Sequence, residues 1–428
     1  MSNLRPAGAS ADLGPEGLPR LLQTPAAVTL ADHLDRYGPA PARGDALISE
    51  VDRSGLRGRG GAGFPTAVKM ATVARGHRTV VVANGTEGEP ASHKDKTLMT
   101  VAPHLVIDGA VLAARAVGAR ETVICIDRTA SRAVDAMQAA LRDRREAALD
   151  PIDVRIALAP DRYLTGEESA LVHWLNGGEA KPTFVPPRPY ERGVGGRPTL
   201  VQNVETLANV ALIARFGSDW FRRIGTTGDP GAVLVTVSGA VARPGVYETP
   251  LGVTVADVLG AAGATLPSVG PVLLGGYFGA WVQADQVATT TLGVEPMRAA
   301  GLSLGAGVLA VLPKSGCGLA ESARVTAWLA AQTAGQCGPC VYGLHAIANA
   351  MSALVEGDHT RATSQTLTRW LSMVQGRGAC RHPDGTARFV ESSLNVFAAE
   401  IERHRRYGAC PATAASTTLP TPATGGWR

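Results

Sequence analysis

Aromatic side chains make up only 5% of the 428 residues, and no stripe of basic residues interleaved with aromatics appears among them. Forty-one Lys and Arg against 37 Asp and Glu leave a net charge of +4. That balance gives neither the electrostatic footprint of a nucleic-acid-binding protein nor an acidic tail. Long apolar runs are missing too. The longest candidate, Pro271 to Ala284, is too short to span a bilayer and contains three glycines, so no direct membrane insertion is expected. The amino terminus lacks a basic segment followed by an apolar one. The expectation is therefore a cytoplasmic chain without a secretory signal, at most peripheral to a membrane complex. Cysteine is scarce, with six in the whole chain. Six do not build a disulfide framework at this length, and clustered cysteines in a reducing compartment point to metal.

Two common phosphate fingerprints are also absent: no glycine loop ends in Gly-Lys-Ser/Thr, and none has the Rossmann spacing. What is present is Gly58-Arg59-Gly60-Gly61-Ala62-Gly63-Phe64-Pro65-Thr66, with four glycines in six positions and no acidic residue. Such a loop bends tightly, and its bare amides form a concave anion site, strongest where a helix starts behind it. Ala67 to Ala71 supplies that start and Lys69 adds a positive charge, so the loop reads as a site for nucleotide or flavin phosphate.

With 45% hydrophobic residues the chain can bury a large core in several units. Residues 24–228 alternate short apolar runs with helical stretches, an α/β pattern. Thr79–Ala83, Glu121–Ile126 and Val154–Leu158 read as strands, and Ala130–Ala147 as a helix charged on one face. Thr79–Ala83 runs into the polar turn Asn84-Gly85-Thr86-Glu87-Gly88-Glu89-Pro90, at the strand end where open α/β sheets place ligands. Thr165 with Glu168 fits a helix capping box. Residues 229–314 turn β-rich: Val233–Gly239, a turn, Arg243–Glu248, and a short helix at Val255–Leu259. In residues 315–407 helical periodicity dominates, with amphipathic stretches at Glu321–Ala334, Val341–Glu356 and Thr366–Val374. Residues 1–23 and 408–428, rich in Ala, Pro, Gly, Ser and Thr, read as flexible tails.

The glycine loop, the Asn84–Pro90 turn, Asp161–Leu171 and Gly195–Val210, in this order, resemble the flavin-carrying, NADH-oxidising 51 kDa-type subunit of respiratory complex I. They also resemble the related diaphorase subunits of NAD-linked hydrogenases and formate dehydrogenases, in which the same module occurs. The resemblance runs from about Leu47 to about Arg406. It implies an α/β flavin- and NADH-binding domain, a small β-grasp-like domain of the soluble-ligand-binding type acting as a spacer, and a C-terminal helical bundle with an iron–sulfur site.

The resemblance further implies FMN against the glycine loop, with the NADH nicotinamide stacked on the flavin ring. Gly58, Arg59, Gly60, Gly61, Ala62, Gly63, Pro65, Thr66 and Lys69 would contact phosphates. Asn84, Glu87, Tyr163, Gly166, Glu167, Glu168, Asn203 and Thr206 would surround flavin and nicotinamide, and Phe64 and Phe184 would sandwich adenine. No protein acid or base is required, because the flavin carries the chemistry. Electrons would leave for an iron–sulfur or ferredoxin-like partner.

The chain departs from the family in telling places. Thr86 replaces an Asp, Met70-Ala71-Thr72 replaces a Trp-Ser-Phe run, and Gln202-Asn203 replaces Asn-Asn. A [4Fe–4S] cluster needs four thiolates, yet the first ligand position is Ala334, leaving Cys337, Cys340 and Cys380. Three readings stay open. A cluster could be completed by a non-cysteine group (His345, His382 or a displaced Cys317) or keep an open position. Zinc could be held by the three thiolates and His382, or no metal bound at all. Cys125 reads as strand core and Cys410 as an uninvolved tail residue. The activity implied is an FMN-dependent NADH dehydrogenase, with NADPH as another candidate nucleotide. Its rival is a degenerate paralogue that binds nucleotide or assists assembly without turnover.

Overall fold

The computed structural model describes residues 17–428, except 25, 266–268, 359 and 415–416. The first third of the chain builds α1 (Leu30–Tyr37), α2 (Ala46–Ser54), α3 (Thr66–Ala74), β1 (Val80–Gly85), α4 (Lys94–Val101) and α5 (Pro103–Ala116). It continues through β2 (Glu121–Asp127), α6 (Ser131–Glu146), β3 (Asp153–Ala159), α7 (Glu168–Leu175), β4 (Thr199–Asn203) and α8 (Val204–Phe221). The four strands form one parallel sheet in the order β3-β2-β1-β4. Alternate residues of β1 serve opposite faces. Val81 and Ala83 join the core under α5 and α8, while Val80 and Val82 pack with Cys125 and with Leu171 of α7. A strand covered on both faces needs an unbroken apolar run, as its sequence supplies. Chain order reverses between β1 and β4, so the crevice at their carboxyl ends is the sheet's switch point.

The second unit holds β5 (Ala232–Gly239), β6 (Gly245–Pro250), α9 (Val255–Ala261), β7 (Val272–Leu274), β8 (Ala280–Val282), α10 (Ala284–Val287), α11 (Val294–Ala299) and β9 (Val308–Val311). Its mixed sheet runs β6-β5-β9-β7-β8, with β5 and β9 parallel. The glycine-broken run Pro271–Ala284 folds into the β7–β8 hairpin rather than a helix. The third unit comprises α12 (Gly318–Ala331), a π-helical turn (Pro339–Leu344), α13 (His345–Glu356), α14 (Arg361–Val374), α15 (His382–Val396) and α16 (Ala398–Tyr407). Helix α12 stops at Ala331, three residues before the expected end. Among the described residues no single helix is long and apolar enough to cross a membrane.

Both expected tails need correction where they are described. The backbone amides of Arg20, Leu21 and Leu22 all donate to Glu248 Oε2, and the Arg20 guanidinium stacks 3.8 Å from the Trp220 ring. Residues 1–16 lie outside the described residues. At the other end Leu419 is fully buried, and the Trp328 indole donates to Pro422 O at 2.7 Å. Arg162 stacks 4.0 Å from the Trp427 ring, and Ala180 N donates to Trp427 O. Composition predicted freedom here; a few apolar anchors override it by burying surface against two units at once.

Candidate functional site

The glycine loop is a closed hairpin. Gly58 N donates to Phe64 O at 2.8 Å, Thr66 N donates to Leu56 O at 3.0 Å, and α3 starts at once behind it. Arg59 N donates to Thr206 Oγ1 at 2.9 Å, which ties the loop to α8. Among the described residues, the amides of Gly60, Gly61, Ala62 and Gly63 make no hydrogen bond. Gly61, at φ +104, could not carry a side chain without meeting Gly305 O at 3.3 Å. Unpaired amides ahead of a helix start are the kind of arrangement from which anion sites are built.

This loop lines a cavity of about 560 Å³ at the carboxyl ends of β1 and β4. The volume falls in the range of small-molecule sites. Asn84 and Asn203 are register partners on those strands. Asn84 Nδ2 donates to Gly166 O at 2.9 Å, and Thr86 Oγ1 donates to Asn84 Oδ1 at 2.6 Å. Thr86 thus keeps the turn closed without the family's carboxylate. Met70, at the family's aromatic position, is fully buried and serves the core.

Part of the wall is a charged network. Lys94 Nζ donates to Asp95 Oδ1 at 2.7 Å and to Glu205 Oε2 at 2.8 Å; Asp95 Oδ2 accepts from Asn203 Nδ2 at 2.7 Å. Burial opposes the Lys94 ammonium, but Asp95, Glu205 and Glu87 together outweigh it and hold its pKa above the usual lysine value. Arg59 is buried with its Nε 4.0 Å from Glu205 Oε1. Both cations line the cavity already balanced by carboxylates, which fixes their positions at the loop.

Glu87, expected beside the flavin, lines the cavity but spends both carboxylate oxygens on α4. It accepts from Ser92 Oγ, Asp95 N and Lys96 N. Glu89, which the sequence reading passed over, accepts from Tyr277 N at 2.8 Å and from the Tyr163 hydroxyl at 3.2 Å. Burial raises Glu89 to about 7 despite those hydrogen bonds. The capping expectation shifts by two residues. Glu167 is the N-cap of α7, accepting from Ala170 N at 2.9 Å, while Thr165 Oγ1 is buried without a partner. Glu168 instead pairs with Lys69 at 3.0 Å, joining α3 to α7 across the cavity mouth.

Most of the expected contacts line this cavity: Gly58 to Phe64, Lys69, Asn84, Glu87, Tyr163, Gly166, Glu167, Glu168 and Asn203. Pro65, Thr66, Thr206 and Phe184 do not. Thr66 and Thr206 are fully buried supports of the loop, and Phe184 is 83% exposed on the connection after α7. The sequence reading missed the far wall. The expected spacer unit supplies Gly275, Phe278, Ser303, Gly305 and Ala306, and the helical unit supplies Arg381, His382 and Arg388. Positive-φ glycines at 275, 276, 305 and 307 were the available signal.

Cys380 also reaches the cavity and accepts a hydrogen bond from the His382 amide at the start of α15. Cys337 and Cys340 lie beside one another before and within the π-turn, close to Cys380. Among the described residues, the ligand atoms of Cys337, Cys340, Cys380 and His382 do not form a group within 4.8 Å of one another. His382, lowered to about 4 by burial, is neutral; its Nε2 donates to Leu329 O at 2.9 Å, and its Nδ1 is buried without a partner. Cys317 is no substitute for the ligand lost at Ala334. It sits with His404 and Cys410, so Cys410 is not an uninvolved tail residue. Cys125 is strand core, as expected.

Comparison with known proteins agrees with this layout. The family described as "Nuo51 FMN-binding domain" matches residues 51–212, "SLBB domain" matches 234–268, and "NADH-ubiquinone oxidoreductase-F iron-sulfur binding region" matches 320–404. The F 2 subunit of the NADH-quinone oxidoreductase of Rhizobium meliloti is 32% identical over 381 residues, covering 86% of this chain and 90% of that protein. The corresponding F subunit of Mycobacterium tuberculosis is 33% identical over 390 residues, covering 86% of each. The crystal structure of an NAD+-reducing [NiFe]-hydrogenase in the H2-reduced state superposes with a TM-score of 0.81 at 30% identity, over 94% of this chain and 70% of the hydrogenase chain. With the cavity, the three-unit architecture and these likenesses in agreement, the chain belongs to the family of NADH-quinone oxidoreductase F subunits, the FMN-dependent NADH dehydrogenase modules.

Proposed function

We propose that this chain oxidises NADH at the cavity over its glycine loop and passes the electrons through the Cys337/Cys340/Cys380 region to an iron–sulfur or ferredoxin-like partner. The observation that carries this reading is the row of unpaired amides from Gly60 to Gly63 facing a cavity that also admits Cys380. FMN, when bound, supplies the chemistry: it accepts a hydride, one proton with two electrons, and releases the electrons singly. The residues supply everything else. Gly60 to Gly63 would bind the phosphate, and the Asn84–Gly166 and Asn203–Asp95 hydrogen bonds would hold the polar edge of the cradle rigid. The Lys69–Glu168 pair narrows the mouth, and Tyr163, Phe278 and His382 stack edge-on to form a wall that excludes water. At that wall the Tyr163 hydroxyl donates its proton in a hydrogen bond to Glu89 Oε2. Rigid edges matter because hydride transfer requires reacting atoms about 3–3.5 Å apart. Cys337, Cys340 and Cys380 would hold an iron–sulfur cluster supplying one-electron transfer. The chain would work in the cytoplasm, peripheral to a larger complex.

Anaerobic titration of the FMN-reconstituted protein with NADH, then NADPH, tests this. Stoichiometric bleaching of the flavin band is the expected result. A flavin spectrum unchanged by either nucleotide would overturn the reading in favour of a paralogue without turnover.

A further inference from the structure

We propose that Cys317, His404 and Cys410 form a zinc site, separate from the three-cysteine region, that anchors the carboxyl-terminal strap. The ligand atoms of these three residues all lie within 4.8 Å of one another, and they are the metal-type group so gathered among the described residues. Cys317 is the N-cap of α12, so its Sγ is fixed by the Ala320 amide at 3.4 Å. His404, in α16, is fully buried. Its Nδ1 lies 2.8 Å from Val355 O, and a carbonyl can only accept, so Nδ1 carries the proton. That leaves a bare lone pair on Nε2, aimed at Cys317 Sγ from 3.6 Å. Fixing the distal imidazole nitrogen in this way is how proteins prepare a histidine for metal.

The spacing suits a tetrahedral ion. Zinc–sulfur and zinc–nitrogen bonds of about 2.3 and 2.0–2.1 Å set a sulfur–nitrogen edge of about 3.6 Å. Two thiolates and one imidazole are donors that zinc takes readily. The fourth position falls to water or to Glu400, one helical turn before His404, whose Oε2 accepts from Leu319 N at 3.1 Å. A disulfide between the two cysteines would leave the oriented histidine without a purpose.

Past Cys410 the chain runs back over the molecule. Arg324 Nη1 donates to Thr421 Oγ1, Trp328 Nε1 to Pro422 O, and Arg128 Nη1 to Arg428 O. Trp427 ends against Arg162, the neighbour of the cavity residue Tyr163. A metal at Cys410 therefore pins the start of a strap whose far end braces the α/β unit beside the cavity.

The test is zinc content and zinc coordination in the full-length chain purified without chelator. About one zinc per chain is expected, with a K-edge absorption first shell of mixed sulfur and nitrogen. The zinc should persist in Cys337→Ser/Cys340→Ser and fall at least about tenfold in Cys317→Ser/Cys410→Ser. Proteolysis within 408–428 should quicken in parallel. Zinc unchanged in the Cys317/Cys410 variant overturns the proposal, as does a sulfur-only shell in the unmutated chain. A Cys317–Cys410 disulfide in metal-free protein overturns it equally. The spectroscopic reading on unmutated protein keeps the test valid even if a variant folds poorly.

Discussion

Two groups of cysteine in the helical unit obey opposite logics. Cys337 and Cys340 are close in sequence, sit just before and within one turn, and declare themselves as a ligand motif by their spacing alone. Cys317, His404 and Cys410 are spread over more than ninety residues and meet only because α12 and α16 dock side by side. The first group is open to the flavin-type cavity through Cys380; the second is built around a buried, pre-oriented histidine at the strap's root. Sequence spacing advertises sites made by a local loop, and it is silent about sites made by packing.

Several experiments would break or sharpen that contrast. The largest effect is expected from Cys340→Ser/Cys380→Ser. Iron content should be lost and electron delivery to a one-electron acceptor should fall by at least about tenfold, while NADH still bleaches the flavin. Iron retained in that variant would place the cluster elsewhere. Cys317→Ser/Cys410→Ser should do the reverse. Iron and flavin reduction should persist while the melting temperature drops by about 5 °C, measured by calorimetry, as the strap loosens. An equal loss of iron would erase the distinction between the two groups.

The cavity offers a second contrast, between a buried acid and the locked ion pairs beside it. Glu89 rises from 4.5 to about 7 because burial disfavours its ionised form. A raised folded-state pKa means stability fully present below pH 4.5 and lost as pH rises through about 7. The loss is worth about 3 kcal/mol, and Glu89→Gln should flatten it in denaturant titrations across that window. The smallest effect belongs to Lys69→Ala. The Lys69–Glu168 pair is partly exposed, so stability should change by less than about 1 kcal/mol. Nucleotide affinity, read by the same flavin titration, should weaken only several-fold.

Much of the site was legible in advance because it is local. The glycine loop, the turn after β1 and the start of α7 are each a short run whose residue types dictate backbone shape. What the sequence left undecided was of one kind. Glu87 and Arg59 line the cavity as expected but also bond to α4 and lie against Glu205, and Thr206 stands outside it as a support of the loop. A polar residue near a ligand motif looks the same in sequence whether it faces ligand or supports the residue that does. Thr165 was read as a cap because its spacing to Glu168 fits, but the 3₁₀ turn at Tyr163–Gly166 moves the helix start so that Glu167 caps it.

By itself, then, the sequence determined the three units, the buried strands and the tight glycine loop, because hydrophobic period and glycine content act over a few residues. Tertiary structure alone decided the far wall of the cavity, the raised pKa of Glu89, the docking of 417–428 and the meeting of Cys317, His404 and Cys410. Each of these depends on which surfaces are buried against one another, and burial between segments far apart in sequence leaves no periodic mark in the chain.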